Sequence, residues 1–136
     1  MIIGVLKEIH PGERRVAMAP SVAKQCIKNG HSVLLEHGAG IIANFTDDQY
    51  EDSGVEIVES AHKIWEKTDV ILKIRPPEET HETEEHEADL LRKGACLICL
   101  LNPGRNSDLL KRLAKTGGTA IAVDAIPRIS RAQSMD

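Results

Sequence analysis

Aromatic side chains are almost missing from this chain: one Trp, one Tyr and one Phe make up 2% of its 136 residues. Its core must therefore be built from aliphatic side chains. Cysteine is scarce and odd in number, three in all, which argues against a disulfide framework and for a reducing compartment. No apolar run approaches the roughly 20 residues that cross a bilayer. Met1 leads straight into the strand-like Ile2-Ile3-Gly4-Val5-Leu6 with no charged leader, so neither a signal nor a transit peptide is expected. The basic residues are scattered through a chain of net charge -4, which excludes nucleic acid as an expected partner.

What is present suits one globular domain: 41% hydrophobic and 28% charged residues, both near the norm for soluble folds. Short aliphatic runs alternate with helical patterns. Strands are expected over Ile2–Leu6, Ser32–Leu35, Val55–Val58, Val70–Ile74, Ala95–Leu101 and Thr119–Val123. Near-continuous apolar strands are the form taken when both faces of a sheet are covered. Helices are expected from Pro20 and Ser21 to Asn29-Gly30, from Thr46 to Gly54, over Ser60–Lys67 and over Ser107–Lys115. Thr46 with Gln49 has the capping-box form, and Phe45 is placed to staple against Tyr50. The alternation predicts an α/β fold, Rossmann-like and doubly wound, with a mostly parallel sheet of about six strands and helices on both faces.

Three stretches invite stronger readings than they support. Gly38-Ala39-Gly40-Ile41-Ile42-Ala43 matches G-x-G-x-x-A after a strand. A dinucleotide fingerprint needs its last position inside the first turn of a helix, where amides meet a pyrophosphate, and here the helix signal comes only at Thr46. Cys96 and Cys99 form a C-x-x-C, yet residues three apart on a strand face opposite ways, so they read as core cysteines. Glu78–Asp89 holds six Glu, one Asp and two His. His81 and His86 are five apart, on different sides of any helix, so a solvated acidic face is expected and no metal site.

In an open parallel sheet, ligands bind outside the carboxyl ends of the strands. The polar residues at those ends are Lys7, Glu8 and Arg15, then Lys73 and Arg75, then Asn102, then Asp124 and Arg128. A rim with several cations suits an anionic or amide-bearing small molecule, though any one of these residues taken alone reads as an ordinary loop charge. After the sixth strand, Pro127 fixes a turn, and Ser130 with Gln133 repeats the capping-box form. The helix so opened has only six residues before Asp136, too few to stand alone.

Three segments together carry a resemblance: Lys7-Glu8 followed by Pro11-Gly12-Glu13-Arg14-Arg15-Val16-Ala17 and Pro20; Leu72-Lys73-Ile74-Arg75-Pro76-Pro77; and Asp124 through Arg128, Gln133 and Met135 to Asp136. They resemble the N-terminal part of the alanine dehydrogenase and nicotinamide nucleotide transhydrogenase superfamily, and the closing segment is most similar to its transhydrogenase alpha-subunit branch. The resemblance implies a first Rossmann-like domain over residues 1–126, with 127–136 beginning the segment that leads to a second, NAD-binding domain absent from this chain. It implies that Arg128, Gln133 and Asp136 line the nicotinamide side of an NAD(H) site, with Gln133 and Asp136 the candidates nearest the chemistry. Arg15 and Lys73 match positions that hold the substrate carboxylate in the dehydrogenases, and Asn102 stands near where those enzymes carry a catalytic His. Lacking that His, amino-acid oxidation has lost its usual acid and base.

The implied reaction is therefore hydride transfer between NAD(H) and NADP(H), the latter on a separate component, with the isolated chain inactive. The implied setting is a homodimer when complete, peripheral to a proton-translocating membrane complex with an NADP-binding component and a membrane subunit, on the cytoplasmic or the mitochondrial matrix side. The alternatives are the corresponding domain of an alanine or saccharopine dehydrogenase relative, or a free-standing module that binds a ligand or partner without catalysis.

Overall fold

Mostly aliphatic runs pair side by side, and among the described residues the strands of the sheet all run the same way. The computed structural model describes residues 1–80 and 84–125. Strands β1 (Ile2–Val5), β2 (Ser32–Glu36), β3 (Glu56–Val58), β4 (Val70–Leu72), β5 (Cys96–Cys99) and β6 (Thr119–Ala122) form one sheet in the order β3-β2-β1-β4-β5-β6. Every pairing is parallel, with Gly4 opposite Leu34 and Ile71, and Ile98 opposite Leu72 and Ile121. The strand order reverses between β1 and β4. Such a switch point leaves a crevice at the carboxyl end of the sheet.

Among the described residues, four helices cover the sheet: α1 (Pro20–Lys28), α2 (Asp47–Asp52), α3 (Ala61–Lys67) and α4 (Ser107–Ala114). On one face Ile3, Val5, Val33 and Leu35 pack with Ala23 of α1 and Tyr50 of α2. On the other, Leu34, Ile71, Leu97 and Cys99 pack with Ile64 and Trp65 of α3 and Leu113 of α4. Gly4 faces α3, and a Cβ there would lie 2.6 Å from Ile64 Cγ2 and 2.7 Å from Thr68 Cγ2. Only glycine lets that helix sit so close to β1.

Local signals decide the helix ends. Pro20 opens α1 at a position where its missing N–H costs nothing. At α2, the Gln49 amide donates to Thr46 Oγ1 at 3.2 Å while the Thr46 amide donates to Gln49 Oε1 at 2.8 Å, completing the expected box. Phe45 meets Tyr50 edge-on with ring centroids 6.3 Å apart. The Tyr50 hydroxyl donates to the Met18 carbonyl at 2.7 Å, and burial, with Asp47 nearby, pushes it up to about 12.

The G-x-G-x-x-A stretch forms a 3-10 turn, Ile41–Ala43, ahead of α2 and not a helix start. Cys96 and Cys99 lie on opposite faces of β5 as unpaired thiols, Cys99 pushed up to about 12 by burial. Among the described residues no helix is long and apolar enough to cross a membrane.

Candidate active site at the carboxyl edge

At the switch point, a carboxylate in the loop after β1 captures the exit of β4. Glu8 accepts hydrogen bonds from the backbone amides of Ile74 at 2.9 Å and Arg75 at 3.0 Å, and from Lys73 Nζ at 3.2 Å. This explains why β4 ends at Leu72, two residues short of the expected Ile74: the next free amides turn to a side chain and not to the ladder. Lys73 also donates to the Arg75 carbonyl at 2.7 Å and stands 3.7 Å from Glu87 Oε1.

Lys73 is thus not the open rim cation that the sequence suggested. Its side chain has no exposed surface, because two carboxylates from distant parts of the chain converge on it and exclude water.

Glu13 organises the neighbouring cations. Its Oε2 accepts from the Arg15 amide at 2.9 Å and Arg15 Nε at 3.0 Å, and its Oε1 accepts from Arg15 Nη2 and Arg75 Nε, both at 2.8 Å. The side chain is 4% exposed, whereas those of Arg15 and Arg75 are 59% and 39% exposed. The Arg15 side-chain hydrogen bonds, opposed by burial and helped by the Arg15 amide and Arg75, hold Glu13 well below the usual carboxylate range. Among the described residues, Arg15 Nη1 and both Nη groups of Arg75 have no protein partner. Two planar cations with unspent donors therefore share one buried carboxylate, an arrangement suited to an anion.

Glu87 corrects the reading of Glu78–Asp89 as a wholly solvated acidic face. It is 4% exposed, and burial, only partly offset by Lys73, raises it above the ordinary glutamate value. The Glu78 amide donates to Glu87 Oε1 at 3.0 Å and the Glu87 amide to the Glu78 carbonyl at 2.9 Å. The segment is folded back by this reciprocal pair and ends in the 3-10 turn Glu87–Leu90. His10, Arg75, Pro76, Pro77, His86 and Leu109 help line an adjoining cavity of about 490 Å³.

At the ends of β5 and β6, Asp124 accepts from the Leu101 amide at 3.0 Å and the Asn102 amide at 2.7 Å, bonds that lower its pKa. Asn102 takes a left-handed backbone, φ +48°, which Asn tolerates better than most residues. The structure thus brings Arg15, Arg75 and Lys73 to the switch point, Lys73 behind the other two, and puts Asn102 past the adjacent strand. His81, Arg128, Gln133 and Asp136 lie outside the described residues.

Glu13, Glu87 and the prominence of Arg75 escaped the sequence reading. The one signal for Glu13 was its place in a Pro-Gly-Glu-Arg-Arg turn; Glu87 had none, standing among five like residues. Among the described residues, no group of three or more His, Cys, Asp or Glu is placed to hold a metal.

Comparison with known proteins places these features in context. Residues 4–136 match the family model described as alanine dehydrogenase/PNT, N-terminal domain. The NAD(P) transhydrogenase subunit alpha of Cereibacter sphaeroides is 44% identical over all 136 residues, which span 25% of that protein. The alanine dehydrogenase of Bacillus subtilis is 36% identical over 126 residues, 93% of this chain and 32% of the enzyme. The crystal structure of a transhydrogenase from Sinorhizobium meliloti superposes with a TM-score of 0.88 at 34% identity, covering 100% of this chain and 39% of that one. The chain therefore spans only about a quarter to two fifths of the length of these relatives.

Proposed function

Since this chain belongs to the alanine dehydrogenase/PNT N-terminal domain family, we propose that it serves as the first domain of the NAD(H)-binding alpha component of a proton-translocating NAD(P) transhydrogenase. The observation that carries this reading is Asn102. At the carboxyl end of β5, where the resemblance sets a catalytic His in the dehydrogenases, the chain has an amide fixed through its backbone by Asp124. An amide neither takes nor gives a proton in this range, so oxidation of an amino group has no acid or base there. Hydride exchange between two nicotinamides needs none. It needs the rings placed together and water excluded, and the cofactors carry the chemistry.

In this reading Arg128, Gln133 and Asp136 are the candidate contacts to NAD(H), and NADP(H) is bound by a separate component. A second Rossmann-like domain completes the cleft, and the complete subunit works as a homodimer peripheral to a membrane complex, on its cytoplasmic or matrix side. Arg15 and Arg75 hold an anionic group of the ligand, with Lys73 setting the β4 exit behind them and Asn102 flanking. Residues 1–136 alone are expected to transfer no hydride, because the cleft is shared with that second domain.

An amino-acid dehydrogenase domain is the second reading, and the paired guanidiniums favour it, since they suit a carboxylate. The test is a chimaera in which this chain replaces the matching segment of the Cereibacter sphaeroides alpha subunit. Transhydrogenation retained within about tenfold of the parent, with no alanine-dependent NAD reduction, is the expected result; tenfold is the rate cost of about 1.4 kcal/mol at the barrier. Alanine-dependent reduction without transhydrogenation would overturn the proposal in favour of the second reading.

A further inference from the structure

Glu13 does more than neutralise charge. It is buried while its two guanidinium partners are not, and each of its oxygens accepts two hydrogen bonds, all four between 2.8 and 3.0 Å. Its neighbour Glu8 fixes the backbone from which Arg75 emerges, through the Ile74 and Arg75 amides. Arg15 is thus tied at its amide, Nε and Nη2, and Arg75 at its amide and Nε. The donors left over are Arg15 Nη1 and both Nη groups of Arg75, and both forks are anchored to one buried carboxylate.

We propose that Glu13 is a positioning residue that holds Arg15 and Arg75 as a rigid two-armed clamp for one oxyanion, a carboxylate or a phosphate. The proposal rests on the reading of these arginines as an anion site. Two long, half-exposed arginines without Glu13 would keep their charge and gain rotamer freedom, and an anion would have to restrict both. Positioning and charge make opposite forecasts for the same substitution. If Glu13 mattered only by its negative charge, removing it would strengthen anion binding; if it positions the clamp, removing it weakens binding despite the added positive charge.

The experiment uses the full 136-residue chain, labelled with 15N and titrated at constant ionic strength with inorganic phosphate and, separately, acetate. Saturating shifts of the Arg15 and Arg75 Nε–H signals report binding, and the tighter probe tells phosphate from carboxylate as the natural source. Glu13→Asp keeps the charge and shortens the reach; Glu13→Gln keeps the reach and removes the charge. Each is expected to weaken binding about tenfold, the scale of one misaligned charge-assisted hydrogen bond. Wild-type affinity in Glu13→Asp, or tighter binding in Glu13→Gln, would overturn the proposal.

A measurement on the wild type needs no variant to fold. Both Nε–H groups should be as ordered as the backbone on the picosecond to nanosecond scale, and free side-chain motion would count equally against the clamp. Failure of the wild type to bind either anion, with both side chains ordered, would instead remove the anion-site reading itself and the proposal with it.

Discussion

Glu13 and Glu87 are the same residue type at nearly the same depth, 8% and 4% exposed, yet their acidities move in opposite directions. Glu13 sits between two guanidiniums and a backbone amide, so its charged form is favoured more than burial penalises it. Glu87 lies 3.7 Å from an ammonium that already serves Glu8, and there desolvation wins. Burial alone does not set the state of a carboxylate; the number of donors committed to it does. The two knots also differ in use. The Glu13 knot presents unspent donors to solvent, whereas the knot around Lys73 is closed and holds the loop after β1, the exit of β4 and the acidic segment together.

The largest effect should come from the closed knot. Lys73→Met leaves two buried carboxylates without their cation and is expected to cost about 3–5 kcal/mol at pH 7, read by urea unfolding. The loss should shrink toward pH 5, where one carboxylate can take up a proton. An equal loss at both pH values would mean that Glu8 and Glu87 do not share the ammonium.

Glu13→Ala should cost less, about 2 kcal/mol at pH 7, because its partners are half-exposed and screened by solvent. Its folded-state pKa is depressed, so its contribution is present above the ordinary glutamate range and is lost as pH falls through the folded value. The difference from wild type should accordingly vanish in strong acid.

Glu87→Gln should be the mildest, under about 1 kcal/mol at pH 7, since an amide oxygen can still accept from the Glu78 amide. Here the sign is reversed. A raised folded pKa makes the contribution of Glu87 complete below its unfolded pKa and diminishing as pH rises through the folded one. Between pH 4 and 7 the variant should therefore gain on the wild type, and a parallel pH profile would show that Glu87 is not the group whose acidity burial weakens.

Elements legible from sequence were those whose cause is local. The capping box at Thr46, the staple from Phe45 to Tyr50, Pro20 at the start of α1, and the buried pair Ile64 and Trp65 on α3 all emerged as expected. Strand ends were less legible where a remote side chain intervened. The sixth strand gave way at Val123 to a 3-10 turn whose Asp124 bonds amides 22 and 23 residues away. The acidic segment concealed one buried member among residues of identical type, and no pattern of spacing distinguishes Glu87 from its neighbours.

By itself, then, the sequence determined the alternation of strands and helices and the parallel sheet, because aliphatic runs, caps and turn residues act within a few positions of themselves, and it carried the kinship with the alanine dehydrogenase/PNT N-terminal domain family. Only the tertiary structure decided which charges are open and which are closed. Glu8 and Lys73 are 65 residues apart and Glu13 and Arg75 are 62 apart. Nothing in the chain between them encodes the pairing until adjacent parallel strands bring their carboxyl ends to the same edge of the sheet.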